Sequence, residues 1–382
     1  MDSGPATSEP HILCDTDSKC EEALPALRSS PTLILDCEGR DLGVVGGALS
    51  IVILRTTTTD AQTYLIDIKS LSATARNDIF DLLSSPKVRK IVFDGRADFS
   101  ALYHEYGIEL HNVVDMQLVD IKSRHALGEK PDEQLKRLCG AFAPREIWRN
   151  KELYKQVHKL SSLERCLREH QCLQSNHGSA LRPKGMRILF LILARPRLTP
   201  VIVDHQDWME RPLSPEYLDY AARDARLIHV LFETFTTAGW TELLTLDESM
   251  RYVTLHKHSQ PKDDDHYKSH SLLPLGILNP LSRKCVGCER QLPFESFANT
   301  NSGGQCYVCM AITKRMKDDP RPPAKGHRRE RNNKEEEATI GTEEDPPAYS
   351  NAKRGKSSNR DFRSSNKWSC LTSYSSNTNN EE

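Results

Sequence analysis

At residues 32–39 an apolar run, Leu33, Ile34 and Leu35 behind Thr32, passes directly into Asp36 and Glu38, with Gly39 after them. A short apolar and β-branched run of this kind is expected to be a buried strand, with Gly39 letting the chain turn. Side chains alternate along a strand, so Asp36 and Glu38 share one face and Cys37 takes the other. Two hard oxygen ligands therefore stand side by side at a strand end, the donor type that a hard divalent cation takes. An Asp-x-Glu after an apolar run is common by chance, and its weight depends on the acids further along the chain.

The 382 residues give room for one large domain or two modest ones plus tails. A net charge of -1 excludes a global field as the source of nucleic-acid affinity, which must come from local basic patches. Mean hydropathy is -0.58, low enough that some stretches are expected never to enter a core. Residues 1–10 lack a basic segment followed by an apolar run, and the longest apolar stretch, near 188–194, is far short of the ~20 residues that span a bilayer. An intracellular protein, nuclear or cytoplasmic and without a membrane partner, is expected. Of the 11 cysteines, four form two CxxC pairs near the C-terminus; the others are scattered, which suggests reduced thiols and not a disulfide framework.

Residues 43–47 form a glycine-rich turn, 49–55 and 62–68 two further strands of an antiparallel meander, and 72–83 a helix stopped before Pro86. A fourth strand at 90–93 delivers Asp94, Gly95, Arg96, Ala97 and Asp98, after which Phe99, Leu102, Tyr103 and Tyr106 recur at helical spacing. Taken alone, Asp98 is expected to be the N-cap of that helix. A strand or strand-to-helix segment comes next at 112–119, and 131–173 is helical with Lys136, Arg137, Arg145, Arg149, Lys151 and Lys155 on its outer positions. Residues 171–203 are a basic, proline-interrupted insertion without acids from Arg182 to Arg197. The clearest helix starts at Ser214 and Pro215, with Leu218, Ala221, Ala222, Ala225, Ile228 and Leu231 as its apolar stripe. On it Tyr220 and Asp224 are one turn apart and share a face, whereas His229 is expected on the helix surface.

In order and context, Leu35-Asp36-Cys37-Glu38-Gly39, Asp94-Gly95-Arg96-Ala97-Asp98-Phe99 and Tyr220-Ala221-Ala222-Arg223-Asp224-Ala225 resemble the three motifs of the DEDD exonuclease superfamily. The resemblance is to the kind with a tyrosine in the last motif, as in the RNase D and Werner-type exonuclease domains. Trp208 with Arg211, Pro212 and Leu213 is similar to the approach to the third motif in RNase D. It implies an RNase H-like α/β fold, a mixed central sheet flanked by helices, over roughly residues 11–240. It also implies 3′-5′ exonuclease activity on DNA or RNA with a free 3′ end, by two-metal hydrolysis. Asp36, Glu38, Asp98 and Asp224 would hold two Mg²⁺ or Mn²⁺ ions, and Tyr220 would orient the attacking water. One departure is Asp94, where relatives often carry a neutral residue; a further carboxylate there would alter metal affinity or substrate contact.

Residues 241–280 are expected to be a helix and a polar linker. Beyond them, Cys285, Cys288, Cys306 and Cys309 have the spacing of a structural Zn²⁺ site in a small ribbon-like module spanning 281–317. Arg283, Lys284, Arg290, Lys314, Arg315 and Lys317 surround it, which suits phosphate contact, with a protein partner as the alternative. The tail, 318–382, is proline-rich, then charged, then rich in serine and asparagine, and like residues 1–10 is expected to be disordered. The functional alternative is an exonuclease-like fold that has lost turnover and serves as an RNA-binding adaptor.

Overall fold

In the computed structural model, the strand that carries the two acids, β2 (Thr32–Arg40), lies inside a six-stranded sheet. Its companions are β1 (Ile12–Cys14), β3 (Ala48–Thr56), β4 (Thr63–Asp67), β5 (Arg89–Val92) and β6 (Val113–Asp115), in the order β1-β4-β3-β2-β5-β6. The structure describes residues 10–172 (140 and 156 apart), 207–262, 271–274, 276, 282–298 and 303–318, all within the unit formed by residues 1–323. The insertion from residue 173, the segments 1–9 and 263–270, and the tail beyond 318 lie outside the described residues.

β2, β3 and β4 form the expected antiparallel meander, whereas β5 and β6 run parallel to β2 and β1 runs parallel to β4. This is the mixed sheet that the motifs implied. Leu33, Ile34 and Leu35 are fully buried because the sheet is covered on both faces, each contributing about 1.5–3 kcal/mol of transfer free energy. α9 (Pro215–Thr237) lies across β2, β3 and β4, and its stripe from Leu218 to Leu231 is buried as the spacing predicts. Helix α1 (Asp17–Ser29), capped by the Thr16 hydroxyl on Lys19 N, packs against α2 (Ala73–Ser84), capped by Ser72. β1 and α1 precede the first element legible in the sequence.

The chain does not turn at Gly39. β2 continues to Arg40 with a bulge between Glu38 and Gly39, and a Cβ at Gly39 would sit 2.1 Å from the Ala48 carbonyl oxygen. Glycine is required there for close strand approach, and the turn comes at 41–47.

The segment from 131 to 173 is not helical throughout. It holds α5 (Pro131–Arg137), α6 (Pro144–Arg149), α7 (Lys151–Tyr154) and α8 (Leu163–Glu169), but also β7 (Val157–Lys159), which pairs with β8 (Leu272–Pro274). A three-residue strand whose partner is over a hundred residues away leaves no local period to read. The cysteine-bearing segment is a hairpin of β9 (Ser282–Lys284) and β10 (Gln291–Pro293) followed by α11 (Tyr307–Asp318). α11 rests on α7 and β8, with Lys314 Nζ donating to Asn150 Oδ1 at 2.9 Å and Arg315 Nη1 to the Ala141 carbonyl at 3.2 Å.

Candidate functional site

Pairing between β2 and β5 stops at Ile34↔Ile91, so the stretch of β2 with Asp36 and Glu38 runs on past the end of β5. It is held instead by β3, with Asp36 opposite Ile53 and Glu38 opposite Ile51. Beyond β5 the chain enters α3 (Arg96–Tyr106), whose N-cap is Gly95. Asp98 is thus not the cap: it is the third residue of the first turn, 4 % exposed, and accepts a hydrogen bond from the Cys37 thiol. The helix begins earlier than its apolar period because Arg96 and Ala97 come straight out of a tight turn.

That turn is held from two sides. Gly43 packs against Ala97, where a Cβ would lie 2.6 Å from the Ala97 carbonyl oxygen, and its own carbonyl accepts from Ser100 Oγ at 2.6 Å. On the other side the buried Asp115, N-cap of α4 (Met116–Ala126), accepts from Asp94 N at 3.1 Å and Gly95 N at 2.8 Å. Asp94 itself has partners of its own. Its two oxygens accept from Arg96 Nε and Nη2 at 2.5 and 2.8 Å, and Tyr252 Oη, from α10 (Leu246–Val253), donates to it at 3.1 Å. Asp94 therefore anchors the turn. Its backbone is left-handed (φ 59°) and the Arg96 it pairs with is fully buried.

α9 brings Tyr220 and Asp224 to the same strand end, and the tyrosine hydroxyl donates to the Asp224 carboxylate. The approach to α9 is clamped to the sheet: Arg211 donates from Nε and Nη2 to both oxygens of Asp67 at 2.6 Å and from Nη2 to Ser50 Oγ at 2.9 Å, while Ser50 Oγ donates to the carbonyl of the buried Trp208 at 2.5 Å. His229 is not on the surface. It is 8 % exposed, accepts from Arg55 Nε at 3.1 Å, and burial with the Arg55 charge pushes it down to about 4, because α9 is covered on that side by β3.

Asp36, Glu38, Asp98, Asp224 and Tyr220 are one electrostatic set. Burial and the Asp224 charge push Asp36 up to about 7. Burial, Asp36, Asp224 and Asp98 raise Glu38 well above the carboxylate range, and burial with Asp36 and Asp94 does the same to Asp98. Asp224 is raised by burial against the opposing pull of Arg223 and Tyr220. Among the described residues one basic side chain pairs with the set, Arg223 to Asp224 at 3.7 Å. Four carboxyls in this state stay ionised together only with added positive charge, and all-oxygen donors suit Mg²⁺ or Mn²⁺.

The four cysteines are a closer-knit group. Their sulfurs lie within 4.8 Å of one another and are buried, and Cys285 Sγ to Cys309 Sγ is 3.7 Å. A tetrahedron with Zn–S of ~2.3 Å has an edge of ~3.8 Å, so the spacing fits zinc. Gly287 N and Cys306 N donate to Cys285 Sγ at 3.4 and 3.2 Å, as suits a thiolate. A second group within 4.8 Å, Asp120, Cys166 and His170, was not anticipated. Asp120 there is already engaged by Arg124 and by His170 at 2.8 Å. No helix among the described residues is long and apolar enough to cross a membrane.

Residues 12–173 match the family model described as 3′-5′ exonuclease, a span that includes the first two motifs. No curated protein sequence matched the chain. In structure the chain is similar to Trypanosoma brucei RNase D, with TM-score 0.46, 20 % identity, 71 % of this chain and 80 % of that chain covered. For the same protein in complex with RNA U12 the values are 0.47, 19 %, 78 % and 90 %. For Escherichia coli RNase D, an exoribonuclease involved in structured RNA processing, they are 0.36, 16 %, 67 % and 52 %.

Proposed function

We propose, from the match of residues 12–173 to a family model described as 3′-5′ exonuclease, that the chain is a metal-dependent 3′-5′ exonuclease that removes nucleotides from a free 3′ end of RNA or DNA. The observation that carries this reading is the convergence of Asp36, Glu38, Asp98 and Asp224, from three separated segments, into one mutually repelling set beside Tyr220, with Glu38 and Asp98 buried and Asp36 and Asp224 half-buried. A pure scaffold has no physical use for such an arrangement, which weighs against the adaptor alternative.

In this reading the four carboxylates hold two Mg²⁺ or Mn²⁺ ions, which supply charge that favours an attacking hydroxide and stabilises the leaving 3′ oxygen. Burial and the charges of Asp224, Glu38 and Asp36 hold the Tyr220 phenol above its usual ~10 in the metal-free protein, and a phenol even at ~10 is a poor general base at neutral pH, so its role is to position water. Its O–H is committed to Asp224, leaving the oxygen lone pairs to accept from a water and fix its direction of approach. Asp94, Arg96, Asp115 and Tyr252 keep the α3 turn in place, and the Arg211–Asp67 clamp does the same for α9. Cys285, Cys288, Cys306 and Cys309 hold one structural Zn²⁺, and the module around it binds nucleic acid.

The test is digestion of 5′-labelled single-stranded RNA and DNA by the full chain with Mg²⁺, Mn²⁺ or neither. A ladder shortening from the 3′ end, dependent on metal and lost in Asp36→Ala and Asp224→Ala, is expected, and the strand type shortened faster identifies the preferred sugar. Retained metal-dependent digestion in both variants, or RNA binding without shortening of either strand type by the unmutated protein, overturns the reading.

A further inference from the structure

Residues 136–155 include six basic residues and two acidic ones, and the chemistry above uses none of them. A run of charge on short helices ordinarily needs no partner but water. What sets this one apart is Trp148 on α6, which is 36 % exposed and has Lys151 Nζ of α7 at 4.7 Å from its ring centroid. Trp148 and Arg149 follow Arg145 by three and four residues, so the three share one face of α6. All three are exposed, whereas Ile147 is fully buried.

The acids nearby do not neutralise this face. Glu146 is drawn inward: its side chain is 12 % exposed, accepts from Asn150 Nδ2 at 2.9 Å and Tyr154 Oη at 3.4 Å, and lies 3.5 Å from Lys314 Nζ of α11. Glu152 is paired with Lys155, and Asp132 with Lys151 at 3.3 Å. Arg145 and Arg149 have no carboxylate partner among the described residues. Because Lys314 is tied to Asn150 and Arg315 to the Ala141 carbonyl, α11 lies against this surface and extends it. Lys317, one turn after Lys314, is exposed and has no carboxylate partner among the described residues either. An exposed ring flanked by unpaired cations joins a stacking platform to a phosphate track, the combination that single-stranded nucleic acid takes. A duplex offers the phosphates, but its bases are already stacked on one another.

We propose that Arg145, Trp148 and Arg149, with Lys151 and the α11 residues Lys314 and Lys317, form a binding surface for single-stranded nucleic acid. One base stacks on Trp148, and the flanking phosphates pair with the two arginines. Lys151 holds the ring by its cation–π contact and leaves the exposed part of it to the base. The strand is thereby gripped away from the carboxylate cluster, on a surface shared by α6, α7 and the helix that follows the last cysteine pair. The proposal rests on the nucleic-acid reading above and names the strand type and the residues that hold it.

The experiment uses the full chain and the variants Trp148→Ala, Trp148→Phe and the double variant Arg145→Gln with Arg149→Gln. Affinity for short labelled single strands of RNA and DNA, and for a blunt duplex of the same length, is measured by fluorescence anisotropy over a range of salt, without added Mg²⁺ or Mn²⁺ so that no turnover intrudes. Trp148→Ala is expected to weaken single-strand binding about tenfold and duplex binding less than about twofold, and Trp148→Phe, which keeps a ring, to stay within about threefold of the unmutated chain. The double arginine variant should lower the slope of log affinity against log salt by about 1.4 on single strands, two phosphate contacts at ~0.7 each. Single-strand binding by Trp148→Ala within about twofold of the unmutated chain, or an equal loss on single strand and duplex, overturns the proposal. Should Trp148→Ala not fold, an unchanged salt slope in the arginine variant overturns it as well. The exonuclease reading fails separately: a chain that binds in the expected way but shortens neither RNA nor DNA upholds this surface and removes that activity, and a chain that digests both while Trp148→Ala binds unchanged does the reverse.

Discussion

Replacing Asp36 by Asn should stabilise the metal-depleted protein while destroying its activity. Burial and Asp224 push the Asp36 carboxyl up to about 7, against ~3.9 in an unfolded chain. A raised carboxyl binds its proton more tightly in the folded state. Its stabilising contribution is therefore full below pH ~3.9 and is lost as pH rises through about 7. Three units at ~1.4 kcal/mol each set a ceiling of ~4 kcal/mol for that loss at pH 8, and relaxation with water entry around a partly exposed carboxylate brings it to roughly 1–3 kcal/mol. Asn keeps the volume and still accepts from the Cys37 backbone, but carries no charge. In urea unfolding without Mg²⁺, Mn²⁺ or chelator, so that zinc is not stripped, Asp36→Asn should exceed the unmutated protein by ~1–3 kcal/mol at pH 8. The gap should shrink by more than half at pH 5. Millimolar Mn²⁺ should then raise the stability of the unmutated protein alone. A variant no more stable at pH 8, or a gap indifferent to pH, refutes the account of the acids as an uncompensated cluster.

Arg211→Met leaves the buried Asp67 without its two-pronged partner and should cost about 3–5 kcal/mol in urea unfolding at pH 7. Burial pushes Asp67 up, but the Arg211 and Ser70 hydrogen bonds outweigh it and hold the carboxyl below its usual range; that stability exists above pH ~3.9 and fades as pH falls, so the deficit of the variant should narrow toward pH 4. Tyr220→Phe removes the oxygen that orients water but no carboxylate, so kcat should fall roughly 10²-fold with KM changed less than about threefold; an unchanged kcat removes Tyr220 from the reaction. Asp94→Asn deprives buried Arg96 of its charge partner and should cost about 2–3 kcal/mol in unfolding while Mn²⁺ affinity, measured by calorimetry, stays within about threefold. A large loss of metal affinity would return Asp94 to the metal site.

Local pattern alone carried the acidic strand, the meander, the helix from Pro215 with its buried stripe, and the three motifs in order, because periods of two and of 3.6 and capping chemistry are written within a few residues of each other. The cysteine clustering was equally legible, since each CxxC pair is brought together within one short loop. Tertiary structure alone decided what surrounds these residues. Asp94 is paired away by Arg96 and by Tyr252, which lies 158 positions along the chain. His229 is buried because β3 covers it, and β7 exists because β8 lies beside it. Asp98 became an inner first-turn residue because Asp115 and Gly43 hold the preceding turn. Charge compensation, burial and strand pairing depend on neighbours distant in sequence, and a sequence fixes which groups exist but not which of them meet away from water.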